Sequence, residues 1–164
     1  MIKDTLLEQF STCYDKNGWF VAVRNTLEGV TAEQAVWKPK GADNSIWESL
    51  AHLSYYNNAY LQRFKGIDYE YTKSTNEETF ESSENASDEE WQAELERFKS
   101  IMTEWREWLS KADDAKLDQA VSATNDTPWK TLISNINTHN AYHGGQILLL
   151  RKLQGSWNPE KGVS

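Results

Sequence analysis

One cysteine in 164 residues, Cys13, leaves no intramolecular disulfide to form. A chain of this length buries a core without such a staple. The lack of disulfides suits a reducing cytosol. Cys13 falls within a helical apolar pattern and reads as a core residue, with a reactive thiol the lesser alternative. Long apolar runs are missing too. The longest purely aliphatic one, Ile147 to Leu150, is far too short to span a bilayer, and the start Met1-Ile2-Lys3-Asp4 has no hydrophobic signal core. Basic clusters are absent: 17 Lys and Arg against 25 Asp and Glu leave a net charge of −8, which disfavours nucleic acid and other phosphate-rich partners. These absences together give the expectation of a soluble cytoplasmic protein with neither nucleic acid nor membrane as partner. Histidine is scarce as well, with only three in the chain.

What is present is helical. Leu6, Phe10, Cys13, Phe20, Val23 and Leu27 recur at roughly helical spacing and predict a first long helix from about Asp4 to Thr26, weakened locally by Gly18. Thr31-Ala32-Glu33-Gln34 reads as a capping box that opens a short helix, which Pro39 stops. A second capping box, Ser45-Ile46-Trp47-Glu48, opens a long helix that Gly66 ends. From Asp68 to Ala86 the chain is polar and without period, and reads as a solvated loop, although a connection this long is also a candidate for function. Ser87-Asp88-Glu89-Glu90 caps the third long helix, whose stripe Trp91, Leu95, Phe98, Met102, Trp105 and Leu109 steps by four and three. Asp113 to Thr127 is a polar connection. Thr127-Pro128 supplies an N-cap and first-position proline for a fourth long helix running to about Leu153. No strand stands out. Most of the eight tryptophans read as packing residues. The expectation is a single all-α domain over residues 1–164: a four-helix bundle with one short extra helix between the first two long ones, its links long enough to allow crossovers.

Two of the three histidines stand four residues apart in Thr138-His139-Asn140-Ala141-Tyr142-His143-Gly144-Gly145. On a helix that spacing puts both on one face, with Cβ atoms about 5–6 Å apart. The apolar stripe of the fourth helix, Leu132, Ile136, Ile147 and Leu150, passes through His139 and His143 when its rhythm is continued. A buried imidazole needs a hydrogen bond or a metal. Two in successive turns are explained by one shared ion, and separate hydrogen bonds are the alternative. The glutamate of a His-Glu-x-x-His protease is missing. His52 lies beside the stripe of the second long helix, and periodicity does not settle its direction. Glu48, one turn earlier, is first of all the N3 residue of the capping box; a partner for the imidazole or a general base is its alternative role. Tyr142, Tyr55 and Tyr56 flank the histidines, as packing residues or as hydrogen-bond donors to a reacting group. Gly144 and Gly145, unfavourable in a helix, imply either close approach of a neighbour or room for a substrate.

Three passages resemble members of the DinB/YfiT-like superfamily: Thr31 to Pro39 with its Trp-Lys-Pro ending, Asn44 to Leu53, and Thr138 to Gln146. The resemblance implies a four-helix bundle with a divalent metal, zinc or nickel, on His52, His139 and His143, and a homodimer. Some relatives use low-molecular-weight thiols. Here it leads to the expectation of a metal-dependent enzyme that activates a thiol or water against a small electrophile, with Glu48 and Tyr142 as candidate catalytic residues. A hydrolase and a non-catalytic metal-binding or scaffold dimer are the alternatives. No basic cluster for the carboxylates of a thiol stands out; Lys38, Lys40, Arg63 and Arg151 are scattered candidates.

Overall fold

A computed structural model describes residues 2–83 and 86–162. Its elements are α1 (Ile2–Tyr14), α2 (Val23–Leu27), α3 (Ala32–Val36), α4 (Ile46–Phe64), α5 (Asp88–Lys111), α6 (Asp114–Asp118), β1 (Ala120–Ser122), β2 (Asn125–Pro128) and α7 (Trp129–Leu153), with 3-10 turns at Glu77–Thr79 and Pro159–Lys161. Among the described residues the fold is all-α apart from one small antiparallel hairpin, β1 with β2. The long helices α1, α4, α5 and α7 form the bundle. α1 packs on α7 and α5, and α4 packs on those same two, so α1 stands diagonally to α4 and α5 to α7. The links between diagonal partners are crossovers, which is why α4 and α7 can face each other across the site. Among the described residues no helix is long and apolar enough to cross a membrane.

All three expected capping boxes form. Thr31, Ser45 and Ser87 each accept from the backbone three residues on, and Gln34, Glu48 and Glu90 bond back. The first helix is shorter than its apolar period predicts. α1 stops at Tyr14, and Val23 and Leu27 reach the core on the separate helix α2. Two short helices, not one, therefore precede α4. The break is held by Asn17, whose Oδ1 accepts from Ala22 N at 3.1 Å and from Asn25 Nδ2 at 2.7 Å. The polar link after α5 holds α6, capped by the Asp113 side chain, and the hairpin that was not foreseen. Its strands are short and irregular in register, below what alternation reveals. Pro128 takes the N-cap place of α7, one residue before the position expected for it, and Thr127 belongs to β2. Trp47, Trp91, Trp105 and Trp129 are core, whereas Trp19 is 98% exposed. Cys13 is buried, and burial pushes its thiol up to about 11, so it behaves as a small core residue.

The two helical glycines separate. A Cβ on Gly144 would stand 2.8 Å from Val23 Cγ2 and 3.6 Å from Val23 Cα, so α2 crosses α7 at the turn that carries His143. Among the described residues, a Cβ on Gly145 would meet nothing within 4 Å. Val23 is β-branched and cannot turn away cheaply. Gly144→Ala is therefore expected to lose about 1–3 kcal/mol to overpacking, more than the roughly 1 kcal/mol that helix propensity returns. Gly145→Ala is expected to gain about 0.5–1 kcal/mol, a rise of a few degrees in Tm. Thermal melts of the pair check this; equal shifts in one direction would remove the crossing as the reason for Gly144.

Candidate metal centre

His52 arrives on α4, whose start is fixed seven residues earlier by the Ser45–Glu48 box. Ser45 Oγ accepts from Glu48 N at 3.1 Å, and Glu48 Oε2 accepts from Ser45 N at 2.6 Å. α4 touches α3, α5, α7 and the 77–79 turn, so almost every side is covered and His52 is only 2% exposed. His139 and His143 arrive on successive turns of α7. His143 is buried and His139 half-buried. The middle of the buried face of α7 runs through Ile133, Ile136, Asn137, Asn140, Gly144 and Ile147, while Leu132 is only partly covered. The histidines thus lie on one flank of the core, not along its centre as the stripe through Leu132 implies. A flank position suits a site that must meet solvent.

The three rings converge through their Nε2 atoms. His52 Nε2 is 3.0 Å from His139 Nε2, and His139 Nε2 is 3.1 Å from His143 Nε2. One donor atom from each ring lies within 4.8 Å of the others, a group that could hold a metal ion. Burial, and then the neighbouring imidazoles, pull His52 down to about 3. Burial first, with His143 second, pulls His139 down to about 4. Burial likewise lowers His143, against a raising effect of the Gln146 side chain. All three rings are therefore neutral at pH 7, and neutral imidazole is the ligating form. Hydrogen bonding alone does not satisfy the trio. An N–H on His139 Nε2 can serve one neighbour well, and two facing lone pairs repel. A cation among them serves all three. Tetrahedral ligands about 2.0–2.1 Å from an ion stand roughly 3.3 Å apart, close to the two separations found.

The surroundings come from the segment read as a solvated loop: most of its described residues are indeed exposed, but Thr79 and Phe80 pack onto the site, and Glu84 and Asn85 lie outside the described residues. Thr79 is 2% exposed and Phe80 is half-buried. His52 Nδ1 stands 2.6 Å from Thr79 Oγ1, and the Phe80 ring stacks on His52 at 4.0 Å and 11°. Tyr55 Oη accepts from Thr72 N and Lys73 N at 3.0 and 3.1 Å, and Tyr56 Oη donates to Asn76 Oδ1 at 3.2 Å. Arg63 donates to Tyr69 O and lies over the Tyr71 ring. The segment is thus nailed to α4 on both sides of the 77–79 turn. Sequence reasoning passed over Thr79 and Phe80; the available signal was a lone Phe in a run of Glu, Ser, Thr and Asn. It also passed over Asn57 and Asn140, fully buried, whose amides bond reciprocally at 2.7 and 3.1 Å and tie α4 to α7 beside the histidines.

The candidate catalytic residues stand differently. Glu48 lines the cleft with His52, but both its oxygens accept from Lys38 Nζ at 3.1 Å and one caps α4. Tyr142 is 62% exposed at the cleft, and its oxygen accepts from Gln146 Nε2 at 3.0 Å. Of the scattered cations, Arg151 is buried on the carbonyls of Thr26, Glu28 and Ser156 and holds the fold. Two cavities meet at the centre. One is an open cleft of about 780 Å³ lined by Asp43, Glu48, His52, Glu77, Tyr142 and Gln146 among others. The other is a groove of about 250 Å³ lined chiefly by Tyr56, Tyr60, Leu132 and Ile136. His139 and Asn76 belong to both walls.

The family model described as DinB superfamily matches residues 21–147, a stretch that holds all three histidines and the 77–79 turn. No curated protein and no solved structure matches the chain.

Proposed function

This chain belongs to the DinB superfamily, and from that premise we propose that it is a divalent-metal-dependent enzyme joining a thiol to a small electrophile. The observation that carries the proposal is the meeting of three neutral imidazoles, two buried and one half-buried, through their Nε2 atoms on the wall of an open cleft. Three imidazoles are the ligand set of sites that keep a place for substrate. His52, His139 and His143 would hold the ion; imidazole donors suit zinc, nickel, copper and iron alike, and the family resemblance favours zinc or nickel. Bound there, such an ion lowers the pKa of a thiol or water and supplies a nucleophile near neutral pH.

The two compartments favour transfer over hydrolysis. A polar cleft and an aromatic groove on either side of His139 accommodate two partners, whereas hydrolysis needs one partner and water. Asp43, Glu48 and Glu77 give the cleft a negative lining, and Lys38 is already paired with Glu48. A neutral or amine-bearing thiol suits it better than a polycarboxylate. The aromatic groove suits the apolar body of the electrophile. Tyr142 Oη, accepting from Gln146, keeps its own proton to donate to a substrate oxygen. Glu48 holds the start of α4 and pairs with Lys38. The homodimer belongs to the same proposal. Ile2 and Phe20 border an apolar groove between α1 and α7 that suits a second copy, and a monomer mass by light scattering at micromolar concentration would remove it.

A panel of thiols and electrophiles, run with zinc- and nickel-loaded protein and with His139→Ala beside it, tests the activity. Metal-dependent thioether formation lost in the variant is expected. Turnover of the electrophile without thiol would make the protein a hydrolase. No turnover with any metal would leave a binding protein.

A further inference from the structure

We propose that Thr79 is a positioning residue of the metal centre: its hydroxyl sets the tautomer of His52 so that Nε2 faces His139 and His143 as a lone pair. The inference rests on the three-histidine reading and deepens it. Thr79 Oγ1 is 2.5 Å from Asn76 O and 2.6 Å from His52 Nδ1. A hydroxyl has one proton to give and two lone pairs. A carbonyl oxygen can only accept, so the proton of Thr79 goes to Asn76. Toward His52 the hydroxyl is then an acceptor, and Nδ1 must be the N–H. A neutral ring with its proton on Nδ1 carries its lone pair on Nε2, the atom 3.0 Å from His139 Nε2.

The device depends on Thr79 staying in place, and the chain around it is built for that. Thr79 N donates to Asn76 O and Phe80 N to Glu77 O, both at 3.1 Å, closing the 3-10 turn. Ser74 N donates to Glu78 Oε2 at 2.9 Å. Tyr56 holds the Asn76 side chain, Tyr55 holds the backbone of Thr72 and Lys73, and Phe80 covers one face of the His52 ring. Metal-ligating histidines commonly give their second N–H to an oxygen, which fixes the tautomer and the ring orientation. The oxygen here comes from a polar stretch outside the helices, and the backbone carbonyl behind it makes that oxygen an acceptor. His143 offers a contrast, because among the described residues its buried Nδ1 has no hydrogen-bond partner.

The test joins two readouts. In metal-free protein near neutral pH, imidazole nitrogen shifts should show the His52 proton on Nδ1 in the wild type and in Thr79→Ser, and redistributed toward Nε2 in Thr79→Val. By competition titration, zinc should bind about 10–100-fold more weakly to Thr79→Val than to the wild type, with Thr79→Ser restoring most of the loss. Circular dichroism melts confirm that the near-isosteric valine variant folds. A wild-type His52 protonated on Nε2, or a valine variant with unchanged zinc affinity, would overturn the proposal. If the wild type binds no zinc or nickel, the metal reading falls alone, and the tautomer measurement still decides the role of Thr79.

Discussion

His139→Ala is expected to weaken zinc or nickel binding by more than about 100-fold, because loss of a mere outer partner of a metal ligand already costs 10–100-fold. His139 is the central ring of the three, with its Nε2 within 3.1 Å of both neighbours. It is also the half-buried one, on the wall between the two cavities, so its removal asks little of the core. Metal-free His139→Ala should therefore melt close to the metal-free wild type. With metal the two should part. An ion present at about 1,000 times its Kd stabilises the fold by roughly 4 kcal/mol, and the variant should show almost none of that shift. His52→Ala should differ, since it removes a ring 2% exposed and stacked on Phe80, and so lowers Tm even without metal. Melts with and without metal check both. A metal-dependent shift retained in His139→Ala would contradict the convergence of the three rings.

Acid is expected to destabilise the metal-free fold well before its carboxylates alone would. In the folded state His52 is held at about 3 and His139 at about 4, while an unfolded histidine titrates near 6.5. Between those values the unfolded chain binds more protons than the folded one, so stability is present above about pH 6.5 and is lost as pH falls toward 4 and 3. The slope for one fully shielded histidine is about 1.4 kcal/mol per pH unit. With solvent screening at the half-buried His139, a combined loss of about 3 kcal/mol is expected between about pH 7 and 4.5, roughly 10 °C in Tm. The double variant His52→Gln with His139→Gln lacks these two groups, and its melting temperature should fall less steeply over the same range. Parallel curves for the two proteins would contradict neutral burial of the rings.

How far the site was legible depended on which residues repeat. The third long helix and the three capping boxes stood out because their period and caps are local. The His139–His143 pair did so as well, because four residues on a helix is a distance. Periodicity left His52 undecided, for a physical reason: α4 is covered on nearly all sides, so its burial has no single stripe. The resemblance supplied it, and the structure brings it to the pair. Thr79 and Phe80 were invisible to period because a pinned loop is fixed by individual hydrogen bonds and one ring stack. Asn57 and Asn140 were missed because a buried amide is indistinguishable from a surface one until its partner is known. The apolar spacing from Leu6 to Leu27 misled in the opposite sense: α2 delivers Val23 and Leu27 to the same core after a break that only Gly18 announced.

The most direct measurement is elemental analysis of protein made without a histidine tag, with His52→Ala and His143→Ala prepared alongside. Convergence of the three imidazoles on one ion predicts one equivalent of a divalent metal per chain in the wild type and almost none in either variant. A wild type that stays metal-poor after incubation with zinc and nickel, or variants that keep the full equivalent, would contradict it.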